Sequence, residues 1–395
     1  MQEISLFRLF LIFLKIGTTA FGGNVALVAA VRKDLCEKRK ILSDSQVLDF
    51  TTLGNVLPGP LATNVITACG YAIRGMAGAI VGLIGILLPA FILICVLSEF
   101  YFRYGESPTL MKIFGGLLPG VAAIIAATAW SLAKKNVSNA LQVFVLIGAG
   151  VAIFFLQGFL ITLFVIIVSG SIGFLFFNKK TENEIPSSHV SRLKSQVPLY
   201  SVISLVAIGL LIYVFHPLSL FLQELRMLSL VFGSMSVTLF GGGYVFIPAI
   251  EKVVVGIHHW VTSKEFADGI AMGQVTPGPV AISAAFVGYK LSGPWGALVS
   301  TLSIFIPPAA LMLLAQQFID RIKGRPSVEA VFKGVRPAVI GMIVASVWVI
   351  GKSAPQDWQS LVIFGIILAL SLWKNFDTAI LIPIAGLMGW GLHLI

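Results

Sequence analysis

The sequence predicts an all-α polytopic membrane protein made of two inverted-topology repeats with broken or re-entrant helices. Three observations lead to this prediction: a very apolar composition, duplicated glycine and proline motifs, and basic loops that exchange places between the duplicated halves. They bear in turn on the solvent around the chain, on its internal organisation and on its orientation in a membrane.

The composition places the chain in a lipid bilayer. Hydrophobic residues make up 57% of the 395 positions and charged residues only 11%, whereas roughly a quarter of the residues in soluble domains are charged. Several stretches lack Asp, Glu, Lys and Arg over enough residues to cross a bilayer. Among them are 76–98, 113–133, 140–177, 199–215, 227–250 and 291–319.

The remaining polar residues exclude several other classes of protein. The net charge of +10 comes from basic residues in short loops, as in membrane proteins, so we expect no nucleic-acid partner. The three cysteines have no pairing pattern, and the five histidines show no metal-ligand spacing with carboxylates. We therefore expect no enzymatic activity, no catalytic residues, no metal and no cofactor.

Two motifs occur twice at the same spacing. Phe21-Gly22-Gly23 returns as Phe240-Gly241-Gly242, and Pro58-Gly59-Pro60 returns as Pro277-Gly278-Pro279, so residues about 219 positions apart correspond. Past the second motif the offset falls by one residue and the match continues. We therefore predict a first membrane repeat over 1–177, a second over 219–395, and a cytoplasmic linker with a joining transmembrane helix over 178–218.

Loop charges predict that the two repeats are inverted. Loop 32–46 carries five Lys and Arg residues and its counterpart 251–265 carries two, whereas loop 99–112 carries two and its counterpart 320–336 carries five. Basic loops face the cytoplasm, so equivalent loops lie on opposite sides of the membrane. We expect four full crossings and broken hairpins in each repeat. The joining helix would supply the additional crossing that inverts the second repeat.

The proline motifs predict interrupted helices. Each follows a helix that begins at a capping box, Ser43 to Gln46 or Thr262 to Glu265, and should end near position 56 or 275. A second short helix then begins, and its free amides point back toward the break. Irregular backbone is tolerated in a membrane where it lines a polar cavity, although close packing of helices is the alternative role for these residues.

These breaks are the predicted anion-binding site, because bare helix N-termini attract negative groups. Lys15 lies in an apolar run before the first glycine motif and is either a fixed charge for the anion or a side chain that reaches the membrane interface. The predicted substrate-binding residues are Gly22, Gly23, Asn24, Pro58, Gly59, Pro60, Thr63, Asn64, Gly241, Gly242, Gly243, Pro277, Gly278, Pro279, Ser283 and Lys15.

Two aspartates occupy matching positions in the capped helices. Asp49 and Asp268 either take up a proton and couple transport to a proton gradient, or are solvated residues paired with loop cations. Both alternatives are consistent with the sequence.

The duplicated motifs, Trp260 before residues 262–266, and the Gly-Tyr pairs at 70–71 and 288–289 resemble the chromate ion transporter family in its long two-domain form. The resemblance covers nearly the whole chain. It implies a multi-pass protein of the bacterial plasma membrane that exports chromate, in exchange with sulfate or driven by protons. A homodimer in the lipid bilayer is the candidate assembly.

Other functions stay open at this point. The paired breaks are also consistent with a passive anion channel that lacks alternating access. A transporter for another small anion or an organic acid would have the same scaffold, because a fold is shared more widely than a substrate.

Overall fold

The computed structural model describes residues 4–19, 23–105, 107–156, 159–178, 219–237, 244–245, 247–316, 326–374 and 378–392, with the single positions 211, 214 and 376. Over these ranges the chain forms fourteen α-helices and no β-strand. The helices are α1 (Leu6–Thr19), α2 (Gly23–Val31), α3 (Asp44–Val56), α4 (Leu61–Tyr104), α5 (Pro108–Asn136), α6 (Ala140–Leu156), α7 (Phe159–Phe177), α8 (Leu220–Ser236), α9 (Ile247–Glu251), α10 (Ser263–Val275), α11 (Ala284–Ala315), α12 (Pro326–Ser353), α13 (Trp358–Lys374) and α14 (Thr378–Leu392).

Five helical segments of the described chain are long and apolar enough to cross a membrane. A hydrophobic helix needs roughly 20 residues for this, because each residue advances the axis by about 1.5 Å. The five segments are Leu61–Tyr104, Pro108–Asn136, Leu160–Phe177, Val280–Ala315 and Pro326–Ser353. The predicted all-α polytopic membrane fold is therefore confirmed.

The two repeats have the same local backbone. A π-helical turn over Arg32–Lys38 has its counterpart over Lys252–Ile257. Lys40 and His259, 219 positions apart, both have φ of 52°, an unusual left-handed conformation for residues with a side chain. These matching positions have the same local backbone conformation, and the bounds of the repeats and the inverted orientation of the copies stay predictions.

Two of the long helices fold back on themselves as tight hairpins. In α4 the helix breaks at Arg74 and Gly75, where Gly75 has φ of 60°. The two arms then approach so closely that a Cβ on Gly70 would lie 2.3 Å from the carbonyl oxygen of Gly78. The same break occurs in α11 at Gly293, with φ of 57°. Each repeat therefore places a short helical arm beside a long one.

Contacts divide the chain into two units, and each unit contains segments of both repeats. The first unit comprises Met1–Leu93, Lys180–Gly242 and Pro277–Val328, and the second comprises Ile94–Lys179, Gly243–Thr276 and Glu329–Ile395. The predicted boundaries at 177 and 218 describe the sequence repeat and stay a prediction. Most of the linker and joining helix, residues 179–210, 212–213 and 215–218, lies outside the described residues.

Within the second unit the repeats exchange helices. Helix α5 of the first repeat packs on α14 of the second, where a Cβ on Gly116 would lie 2.2 Å from the carbonyl oxygen of Ala385. Conversely, α12 of the second repeat packs on α7 of the first, where Gly334 lies against Gly173. Small residues allow helix backbones to approach closely in lipid, so these crossings are held by van der Waals packing of backbone on backbone.

Substitution of two helical glycines tests this packing. Gly116→Ala should destabilise the protein by about 1–3 kcal/mol, because its methyl group overlaps the backbone of α14. The matched variant Gly148→Ala, in α6, has open space around its added methyl and should be neutral or stabilising by up to about 1 kcal/mol. Thermal unfolding of the detergent-solubilised protein measures both, and equal unfolding temperatures would contradict the observed crossing.

Candidate substrate site at two helix breaks

The first break separates α3 from α4. Helix α3 begins with the predicted capping box, in which the Ser43 hydroxyl accepts from the amide of Gln46 at 3.2 Å and the Gln46 side chain accepts from the Ser43 amide at 2.9 Å. It ends at Val56, and α4 begins at Leu61. The prolines between them cannot donate backbone hydrogen bonds, so the helix does not continue. The predicted interruption is confirmed.

Glycine is required at the centre of this break. Gly59 has φ of 103°, a conformation that side-chain-bearing residues rarely adopt. A Cβ at this position would also lie 2.2 Å from Cβ of Pro308 on the long arm of α11. Backbone conformation and close packing therefore both exclude a larger residue here.

Polar side chains of the first turn of α4 reach back into the break. Nδ2 of Asn64 donates to the carbonyl oxygen of Pro58 at 3.0 Å, and the Thr63 hydroxyl donates to that of Pro60 at 2.8 Å. Both side chains are buried. No donor among the described residues lies within hydrogen-bonding distance of Oδ1 of Asn64. The two predicted residues thus lie at the break, and one of them retains an unused acceptor.

The second break has the same backbone plan. Helix α10 begins at the capping box of Thr262 and Glu265 and ends at Val275, as predicted. Gly278 has φ of 130°, and a 3-10 turn over Val280–Ser283 leads into α11. Ser283, 219 positions after Asn64, is buried.

The two breaks pack against equivalent positions of opposite repeats. Gly59 contacts Pro308 of α11, and a Cβ on Gly278 would lie 3.3 Å from that of Ala90 in α4. Ala90 and Pro308 are 218 positions apart and correspond in the repeat. Each proline motif therefore lies against the long helix that follows the other motif.

An apolar cavity of about 520 Å³ lies between the long arms of α4 and α11 in that unit. Its walls are aliphatic and aromatic apart from Thr67 and Thr301. Such a surface offers an anion no compensation for lost hydration. We therefore assign no substrate to it and regard the breaks as the candidate site.

The other predicted residues have different surroundings. Lys15 is exposed on α1, and the first two residues of α2 are Gly23 and Asn24. Gly22, Gly241, Gly242 and Gly243 lie outside the described residues. The binding roles of all these residues stay predictions.

The two predicted aspartates are both buried, and the structure adds a tyrosine to one of them. Asp268 is 1% exposed and accepts a 2.6 Å hydrogen bond from the hydroxyl of Tyr101. Its Oδ1 has no partner within the part of the chain that the structure describes. Tyr101 has no tyrosine counterpart, since position 319 of the second repeat is Ile, so the repeat gave no signal for this contact.

A second polar group missed by the sequence analysis lies at the end of α10. The Tyr244 hydroxyl lies 3.4 Å from Oε1 of Gln274, and the carbonyl oxygen of Tyr244 accepts from the Ser346 hydroxyl at 2.6 Å. Nε2 of Gln274 is buried without an acceptor among the described residues. The described ranges also hold no group of three His, Cys, Asp or Glu side chains placed for a metal ion.

A family model for chromate transporters matches residues 7–174 and 226–390. The chain belongs to the chromate transporter family. It is a multi-pass membrane protein, and the family is one of transporters.

Curated relatives match nearly the whole chain. A probable chromate transport protein of Synechococcus elongatus is 31% identical over 391 residues, which cover 95% of this chain and 93% of the relative. An uncharacterized transporter of Methanocaldococcus jannaschii is 29% identical over 98% of this chain and 94% of its own length. A chromate transport protein of Cupriavidus metallidurans is 27% identical over 97% and 92%. No solved structure matches the chain.

Alanine at the two break glycines tests the geometry. Gly278→Ala should cost about 1–3 kcal/mol, because it places a side chain at positive φ. Gly59→Ala should cost that amount and about 1–3 kcal/mol more, because its methyl also overlaps Pro308. Thermal unfolding measures the difference, and a larger loss in Gly278→Ala would contradict the packing described here.

Proposed function

We propose that the protein is a secondary transporter that exports chromate, a tetrahedral oxyanion, and binds it at the two helix breaks. The observation that carries the proposal is a reciprocal packing. Gly59, in the break before α4, packs on α11, and Gly278, in the break before α11, packs on α4. Discontinuous helices in the membrane are the recurrent substrate sites of secondary transporters.

The chemistry of the breaks supports an anion as the cargo. The first turn of a helix presents amide groups without intrahelical acceptors and the positive end of the helix dipole. Around it lie the buried hydroxyl of Thr63 and the carboxamide of Asn64. The Thr63 hydroxyl already donates to Pro60, so the helix N-terminus and the second Nδ2 proton of Asn64 are the groups that can replace part of the hydration shell of an oxyanion, without a full positive charge in the membrane.

Flux through proteoliposomes tests this proposal. Purified protein should move chromate, and Gly59→Leu and Gly278→Leu should each abolish the flux by filling a break while leaving the protein in the membrane. Gly148→Leu, at an exposed position of α6 where an added Cβ meets no atom within 4 Å, is the matched control and should retain wild-type flux. Wild-type flux in both break variants would remove the proposed site.

Movement of an organic acid but not of chromate, or flux unaffected by any gradient, would favour a different carrier or a channel.

Export needs a source of energy, and we propose proton uptake at Asp268 in preference to exchange with sulfate. A buried carboxylate is costly unless its oxygens are paired, and within the described chain the hydrogen bond from Tyr101 is the one hydrogen bond observed for Asp268. The other charged groups that act on it are Lys264 and Glu265, on the same helix. Such a carboxyl is suited to exchange a proton as its surroundings change. Asp49 is also buried, and it has other interactions.

Transport driven by a pH gradient tests the coupling. Asp268→Asn should lose most gradient-driven accumulation, by about tenfold or more, while exchange of chromate across the membrane continues. Tyr101→Phe removes a donor to the ionised carboxylate and should move the pH midpoint of transport upward by about one to two pH units. Asp49→Asn is the control at the equivalent position. Unchanged accumulation in Asp268→Asn would contradict the coupling and leave the anion site untouched.

A further inference from the structure

The carboxamide of Asn64 has a fixed orientation in the first break. Its Nδ2 donates to the carbonyl oxygen of Pro58, and reversal of the group would set two oxygens against each other. Oδ1 must therefore be the atom that lacks a partner among the described residues. Asn64 is 0% exposed, so bulk water does not supply the missing donor in this conformation.

An unsatisfied buried amide oxygen costs about 1–3 kcal/mol, and such a group calls for an explanation. Asn64 lies in the first turn of α4, where amide donors face the same break. A ligand in the break therefore meets an unpaired acceptor, Oδ1 of Asn64, beside the N-terminus of α4. The acceptor restricts the protonation state of the ligand, because it needs a hydroxyl opposite it.

We propose that the first break binds its tetrahedral oxyanion in the monohydrogen form, with the hydroxyl of the anion donating to Oδ1 of Asn64. This inference rests on the proposed function and specifies its substrate. A fully deprotonated dianion has only acceptor oxygens, so it has no proton to donate to Oδ1 of Asn64. The monohydrogen anion fills that acceptor and directs its other oxygens at the amides. Its smaller charge also costs less to remove from water.

The second break does not impose the same restriction. Ser283 lies in the first turn after this break, and a hydroxyl can rotate to donate or to accept. The two breaks hold one anion in the proposed function, so Asn64 of the first repeat sets its protonation state and Ser283 accepts either form.

Binding to the wild-type protein tests the inference without any substitution. Equilibrium dialysis of the detergent-solubilised protein should show chromate affinity falling about tenfold per pH unit above the second ionisation of chromic acid, because the competent species falls by that factor. At one neutral pH, arsenate and phosphate, which keep a hydroxyl, should displace chromate. Sulfate, which has none, should compete at least about 100-fold more weakly.

Variants in one helical turn then assign the effect to Asn64. Asn64→Leu removes the acceptor at similar volume and should reduce the preference for arsenate over sulfate to within about threefold. Thr67→Val is the matched control, because the Thr67 hydroxyl is buried and already donates to the carbonyl oxygen of Thr63 at 2.7 Å. It should retain the wild-type preference. Circular dichroism confirms that each variant is folded.

The outcomes separate this inference from the proposed function. Equal competition by sulfate and arsenate in the wild type would overturn the monohydrogen assignment and leave the oxyanion site in place. A preference that survives in Asn64→Leu would equally overturn it. Failure of every oxyanion to bind would overturn the proposed function and this inference with it. If Asn64→Leu does not fold, the wild-type competition decides alone.

Discussion

The fold depends on one constraint, that every backbone amide and carbonyl inside a membrane needs a hydrogen-bond partner. Regular helices meet it internally, and the two proline motifs violate it. At the first break the side chains of Thr63 and Asn64 donate hydrogen bonds to the carbonyl oxygens of Pro60 and Pro58, respectively. The polar residues assigned to substrate are therefore also structural, because they complete the hydrogen bonds of the backbone they expose.

The two copies share a backbone plan but differ in side-chain chemistry. The capping boxes, the left-handed residues Lys40 and His259, and the hairpin turns at Gly75 and Gly293 are alike in both. The first break has Thr63 and Asn64 where the second has Ile282 and Ser283. The duplicated motifs thus determine where the chain bends. The residues that differ between the two bends give each break its own hydrogen-bond donors and acceptors.

Local features were predictable from the sequence, and long-range pairings were not. Helix ends at Val56 and Val275 follow from capping residues and prolines a few positions away. The contact of Tyr101 with Asp268 joins positions 167 residues apart, and the crossing of Gly116 with Ala385 joins different repeats. A hydrophobic segment in lipid is apolar on every face, so its pattern does not indicate which helix it meets.

The position of Asp268 on α10 suggests how a proton could influence the second break. Asp268 and Val275, the last residue of α10, are seven positions apart, which is about 10 Å along a helix axis. The helix between these two residues is uninterrupted. Pro277 follows two residues later, and Gly278 packs on α4. Under the proposed proton coupling, Asp268 acts through the helix on which it lies, and the carboxyl has no need to touch the anion.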